Sequence, residues 1–221
     1  MFSEIIKTSY MITQYCMIHN PNELKQEIIR VGVRILRPFE YEAVLRAITH
    51  KRHRTMLQTL LYTGMRYIEL QRLQSYPSWY VGDFIHLPRI ADRKVMRTQP
   101  ERWVRLNQQG RMAVEYFLQV DESLPAYQNW RDNMRRWAKS AGLSSEGMGA
   151  KTLRKTWESW LMFCYPGFMV DITLSQGHDT ITSIQHYLNM PFTEVDMVMM
   201  KNYVEGWRPD PHRFETYVNR M

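Results

Sequence analysis

His178 and Tyr187 stand nine positions apart in the stretch SQGHDTITSIQHYLN, close enough to converge on one ligand. A tyrosine beside a histidine, with arginines supplied from elsewhere in the chain, can attack a phosphodiester: the phenol is the nucleophile and the cations hold the phosphoryl oxygens. The alternative for the tyrosine is a half-buried packing role near a helix end. The local sequence favours a stiff elbow around His178. Gly177 can close one helix in a left-handed conformation, and the Thr180 hydroxyl can cap the next. Beyond it Ile181, Ile184 and Leu188 recur on one face of a short helix that carries Tyr187 towards its end.

Other segments offer the cations. In LLYTGMRYIEL, Arg66 emerges directly after a Gly turn, where it can reach a ligand or pair with Glu69 at i, i+3. Lys94 is the one lysine between Lys51 and Lys139 in a basic connection from Arg89 to Arg102. Lysine can give up a proton near neutral pH and arginine cannot, so Lys94 is a candidate general acid. In KTLRKTW, the cations Lys151, Arg154 and Lys155 crowd the start of a helix. That placement opposes the helix dipole, and a bound phosphate would resolve the conflict. Lys51-Arg52-His53-Arg54 is either a solvated loop or a phosphate-contacting patch.

The elements that must position these side chains are mostly helical. Asn20-Pro21 opens a predicted helix with Leu24, Ile28 and Val31 on one face, ending at Gly32. A second opens at Pro38, buries Phe39, Ala43, Val44, Ala47 and Ile48, and ends near Lys51 to Arg54. Met56, Leu57, Leu60 and Leu61 mark a third, stopped at Thr63-Gly64, and Ile68, Leu70 and Leu73 a fourth. From Trp79 the helical period vanishes: Trp79 to Val81 and Phe84 to Leu87 read as a hairpin around Gly82-Asp83, with Trp103 to Leu106 as a third strand. Helices resume with Met112, Ala113, Tyr116, Phe117 and Val120, then with Tyr127, Trp130, Met134, Trp137 and Ala138 up to Gly142, and again from Lys151 through Trp157, Trp160 and Leu161. Thr193 caps a last helix with Asp196 at capping-box spacing. That helix carries apolar residues on nearly every side, which suggests burial against a neighbouring protomer through residues 193–204. Residues from Gly206 to Met221 read as a polar tail. The expected class is α+β, mainly α with a small antiparallel β-sheet.

Composition limits the partners. The 221 residues carry a formal charge of +7, which points to a polyanion and to nucleic acid first. A content of 44% hydrophobic residues marks a folded globular chain. Cys16 and Cys164 have no ligand-spaced partners, so neither a zinc site nor a disulfide framework is indicated, and no cofactor is expected. No apolar run reaches the length of a membrane span, and no signal peptide is visible. A soluble protein of the reducing cytoplasm is the expectation.

Taken in order, LLYTGMRYIEL, a strand hairpin with a lone lysine, KTLRKTW and SQGHDTITSIQHYLN resemble the tyrosine recombinase, or phage-type integrase, family. Its catalytic domain carries TGxRxxEL, a hairpin lysine, (H/K)xLR, and GH followed by the nucleophilic tyrosine. Each fixed residue matches by chance roughly one time in twenty, so four ordered motifs are hard to attribute to accident. The Trp- and Met-rich version here looks most like integrases of archaeal viruses and plasmids. The resemblance implies the family's catalytic-domain fold over residues 34–221, with 1–33 as a short helical element. It implies that Tyr187 forms a 3′-phosphotyrosyl link, that Arg66 and Arg154 clamp the nonbridging oxygens, that His178 bonds one of them, and that Lys94 protonates the leaving 5′-oxygen. Lys151 falls where the family has His or Lys, Glu69 would orient a neighbouring cation, and Lys155 replaces a supportive His. Double-stranded DNA is the implied partner, contacted also by Lys51, Arg52, Arg54, Arg93 and Arg97, with a homo-oligomer assembled on it and no metal or ATP required. The departures are Lys155, Gln176 in place of a common Leu, a long connection after Lys94, and no core-binding domain in the residues before position 34. The last implies a minimal enzyme, a fragment, or one that needs a partner to grip DNA. A type IB-like topoisomerase and a non-catalytic DNA-binding regulator are the competing readings.

Overall fold

The computed structural model describes residues 27–89, 101–120, 122–177 and 190–207. Position 28 opens a hairpin, not the end of a helix: β1 (Ile28–Arg30) pairs antiparallel with β2 (Val33–Ile35), Ile28 opposite Ile35. The predicted helix over 20–32 is corrected here for its described end. Val31 and Gly32 both have positive φ, 50° and 67°, the two-residue turn that matches strand twist. The Val-Gly pair disguised that turn, because Val rarely occupies it. The hairpin runs across position 33, where the sequence suggests that the catalytic region begins.

Helix α1 (Pro38–Ala47) follows, then α2 (Lys51–Thr63) and α3 (Tyr67–Ser75). Of the apolar residues expected inside α1 and its exit, Val44 and Ile48 are buried while Phe39, Ala43 and Ala47 are half-buried; Tyr41 takes the remaining inward place. The Lys51-to-Arg54 cluster is the first turn of α2, not a loop. Gly64 ends α2 at φ 58° and bonds back to the carbonyls of Leu60 and Leu61. On α3, Leu70 and Leu73 enter the core but Ile68 lies at the surface.

The expected first strand of the next hairpin is reduced. Pro77–Trp79 forms a 3-10 turn, and only Tyr80 makes a bridge, to Ile85. The true pair is β3 (Phe84–Leu87) with β4 (Arg102–Arg105), Phe84 facing Arg105 and Leu87 facing Arg102. Helix α4 (Gln108–Leu118) is capped by the Asn107 side chain and buries Val114 and Phe117; the expected Met112 and Tyr116 face outward because the inward stripe is rotated from the one assigned. Helix α5 (Tyr127–Ser140) buries Trp130, Met134, Trp137 and Ala138, with Tyr127 at the surface.

Helix α6 (Thr152–Cys164) is the axis of the fold, buried at every position from Thr152 to Met162 except Lys155. It packs on α2, β2, α7 (Met169–Gln176) and α8 (Glu194–Val204). Leu36 ties the chain to it twice: its N–H donates to Thr156 Oγ1 at 2.9 Å, and its carbonyl accepts from Trp160 Nε1 at 2.9 Å.

Helix α8 begins with the expected reciprocal cap: Thr193 Oγ1 accepts from the Asp196 N–H, and Asp196 Oδ2 accepts from the Thr193 N–H at 2.9 Å. Asp196 also takes the buried Arg37 guanidinium, whose other nitrogen donates to the Pro191 carbonyl. Met199, Met200 and Val204 point into this chain's own core, leaving Val198 outward. The expected polar tail starts later than residue 206, since the Trp207 side chain is fully buried. Among the described residues the architecture is mainly α with two small antiparallel sheets, and no helix is long and apolar enough to cross a membrane.

Candidate active site

The site forms where three chain segments end together. Gly64 terminates α2 and Arg66 occupies the position before α3, so the arginine side chain starts from a fixed turn. Glu69, one turn into α3, has no solvent exposure and reaches back: Oε2 accepts from the Arg66 N–H at 2.7 Å, and Oε1 from Arg66 Nη1 at 2.8 Å. From β4, Arg102 meets the same carboxylate with both terminal nitrogens, at 2.8 and 2.6 Å, and donates through Nε to the Ser175 carbonyl at 3.2 Å. From α6, the buried Arg154 donates to the Gly64 carbonyl at 2.8 Å and to the Gln176 carbonyl. Arg154 thus staples the end of α2 to the end of α7.

Two glycines are required by this geometry. Gly64 lies against the Gln176 amide, where a Cβ would stand 2.5 Å from Oε1, and Gly177, at φ 65°, lies against Arg102, where a Cβ would stand 2.6 Å from Cδ. Left-handed turns and close approach both demand the missing side chain. The expected C-cap at Gly177 is present.

Electrostatically the site is an excess of fixed cations. Burial opposes ionisation of Glu69, but the bonds from Arg102 and the charges of Arg102, Arg154 and Arg66 together hold its carboxyl down at about 2. Burial, then the charges of Arg102 and Arg66, push the Arg154 guanidinium down to about 10, with Glu69 and Glu158 acting the other way. Arg154 therefore stays protonated at neutral pH. Lys155 is lowered by burial and, less, by Arg154 and Lys151, against the pull of Glu158. Arg66 keeps 41% of its side chain exposed, and Lys151 at the head of α6 is exposed. Among the described residues two buried carboxylates, Glu69 and Glu158, thus accompany five cations, and the surplus opens to solvent through Arg66 and Lys151. Such a set can bind an anion and stabilise developing negative charge.

The structure brings together Arg66, Glu69 and Arg154, with Lys151 and Lys155 on the same helix as Arg154. Lys51, Arg52 and Arg54 lie apart, at the other end of α2, about 15–20 Å from Gly64 by helical rise. There Arg52 pairs with Glu122 at 2.8 Å and Lys51 sits 5.0 Å over the Tyr116 ring. Lys94, Arg93, Arg97, His178 and Tyr187 lie outside the described residues.

Arg102 is the residue that sequence reasoning missed. In the sequence it ends a basic connection, and strand alternation is the signal that reveals it: Val104 faces the core, so Arg102, two residues earlier, faces it too. A buried arginine implies a buried acid, and Glu69 is that acid.

The backbone matches the crystal structure of XerA recombinase with a TM-score of 0.56, at 18% identity, over 80% of this chain and 65% of that one. The fold is that of a tyrosine recombinase catalytic domain. Crystal structures of XerH site-specific recombinase are also similar. The pre-cleavage complex with difH substrate has a TM-score of 0.46 at 17% identity, over 71% of this chain and 50% of that one; the post-cleavage complex with palindromic difH has 0.45 at 16%, over 86% and 53%. The chain spans 65% of the length of the XerA protein and about half that of XerH. No protein-family model and no curated protein sequence matches it. On the recombinase fold the arginine cluster occupies the meeting point of α2, α3, β4, α6 and α7.

Proposed function

We propose that this protein is a site-specific DNA recombinase that cuts and rejoins duplex DNA through a 3′-phosphotyrosyl intermediate. The observation that carries the reading is the convergence of Arg66 and Arg154 around Glu69, beside the glycine that immediately precedes His178. A phenol with an ordinary pKa near 10 is a poor nucleophile unless cations stabilise the charge that develops in its attack. Arg66 and Arg154 supply that charge on the nonbridging oxygens, with a hydrogen bond from His178 and support from Lys151 and Lys155. The Tyr187 phenol gives up its proton to solvent and its oxygen bonds to phosphorus. The bond from phosphorus to the 5′-oxygen breaks, and Lys94 delivers a proton to that oxygen. Because the phosphotyrosyl link conserves the bond energy, a second 5′-hydroxyl can reverse the step without ATP, and the arginines make a metal unnecessary.

Residues 34–221 form the catalytic region in this reading, with 1–33 as an accessory element whose described end, β1, is stitched to it through β2. Lys51, Arg52, Arg54, Arg93 and Arg97 add contacts to the DNA backbone, and copies assemble on DNA through residues 193–204. A virus- or plasmid-borne element of an archaeal host, with action in that host's cytoplasm, fits the sequence character.

A duplex carrying a nick beside the target bond tests the chemistry. Covalent capture that disappears in Tyr187→Phe is expected. Binding with no capture leaves a DNA-binding regulator, and capture indifferent to sequence leaves a topoisomerase of the type IB class.

A further inference from the structure

At the head of α6 lies a cavity of about 240 Å³, between the tip of the β1–β2 hairpin, the outer face of α5 and the loop that leads into α6. Among the described residues its charged side chains are Arg131, Arg135 and Lys151, and no carboxylate lines it. Arg131 Nε is shielded from solvent yet has no hydrogen-bond partner among the described residues. Arg135 has one acidic neighbour, Asp132, at 3.9 Å, too far for a hydrogen bond, so its donors remain available. Tyr127 and the backbone of Gly147 and Gly149 complete the walls. Three cations line this hollow, with Asp132 at the edge of reach of Arg135 alone, and their mutual repulsion favours the entry of an anion.

We propose that this notch is a second anion site, which seats a backbone phosphate of the DNA one or two nucleotides from the phosphate held by Arg66 and Arg154. The proposal rests on the recombinase reading for the identity of the anion's source. Lys151 belongs to both places: it lines the notch and precedes Arg154 by three residues, about 4.5 Å of helical rise. Because the two places share the head of α6, a DNA strand crossing it would present neighbouring phosphates to both. The notch reads no base edge, and its contribution is register and affinity without sequence preference.

Two measurements test it. In anisotropy titrations of a mixed-sequence duplex against salt, Arg131→Ala/Arg135→Ala should lower the slope of log K on log salt by about 1, and weaken low-salt binding several-fold on every sequence. Arg131→Lys/Arg135→Lys should keep most of that slope, and Arg135→Glu, at an exposed position, serves should the double alanine variant not fold. Separately, sodium pyrophosphate should raise the melting temperature of the wild-type protein more than that of Arg131→Ala/Arg135→Ala. An unchanged salt slope together with equal pyrophosphate stabilisation would overturn the notch and leave covalent capture by Tyr187 untouched. Pyrophosphate stabilisation that needs the two arginines, in a protein that captures no DNA, would keep the anion site and remove the recombinase reading.

Discussion

Glu69 and Arg102, from a helix and a strand far apart in sequence, close a buried two-bond clamp at 2.8 and 2.6 Å. Removing one partner of such a pair leaves a buried charge, which costs about 3–5 kcal/mol. Arg102→Met should lose that much in urea unfolding. Adding Glu69→Gln should recover part of it, giving a coupling in the double-mutant cycle that a simple loss of packing would not produce.

Acid should weaken the fold through the same carboxylate. Its pKa lies below the unfolded value of about 4.5, so its stabilisation is complete above that value and disappears as pH falls from there towards about 2. Urea midpoints measured across this window should fall more steeply for wild type than for Glu69→Gln. Parallel curves would show that other carboxylates govern the acid limb.

Gln176 is only 1% exposed, and both polar atoms of its amide lack a hydrogen-bond partner among the described residues. An unsatisfied buried amide costs about 1–3 kcal/mol. Gln176→Leu, close in volume, should raise stability by about 1 kcal/mol by the same reasoning, read as a higher melting temperature. A lower one would mean that the amide has a role that the described residues do not display.

The two turn glycines should be intolerant. Gly64→Ala must adopt φ 58° with its methyl 2.5 Å from Gln176 Oε1, and Gly177→Ala must adopt φ 65° against Arg102. Each should cost more than about 1 kcal/mol. Strand cleavage should drop further than stability accounts for, because Arg66 and His178 follow these turns directly. A cleavage rate that tracks the folded fraction alone would argue that neither turn positions anything.

Arg66→Ala and Arg154→Ala should abolish covalent capture while retaining much of the duplex affinity, since the wider basic surface releases most of the counterions. Equal losses of binding and capture would contradict this division. A Lys94 substitution should slow cleavage and be rescued by a 5′-bridging phosphorothiolate, whose leaving group needs no proton. Lack of rescue would point to another acid.

Where side chains repeat with a clear period, the sequence was enough. The stripes of α2 and α5, the stop at Gly64, the cap at Thr193 and the turn at Gly177 all follow from local chemistry. It misled where one residue contradicts its neighbourhood. Val31 in a left-handed turn hides a hairpin, and Lys51 to Arg54 look like a loop because cations are unfavourable where α2 begins. Tyr41 and Trp207 are buried by tertiary contacts that no local period announces. For the site, Arg66 with Glu69 could be read from i, i+3 spacing. Arg102 required the strand register, and the hold of Arg154 on two main-chain carbonyls required the assembled fold.

The seam between Gly147 and Arg34 reaches beyond packing. The Arg34 N–H donates to the Gly147 carbonyl at 2.9 Å, and a Cβ on Gly147 would stand 2.7 Å from that same nitrogen, so the loop ahead of Lys151 is locked onto β2 with no slack. A side chain at position 147 would have to part this loop from the strand. The lysine at the head of α6 could then be displaced by something that never approaches the arginines.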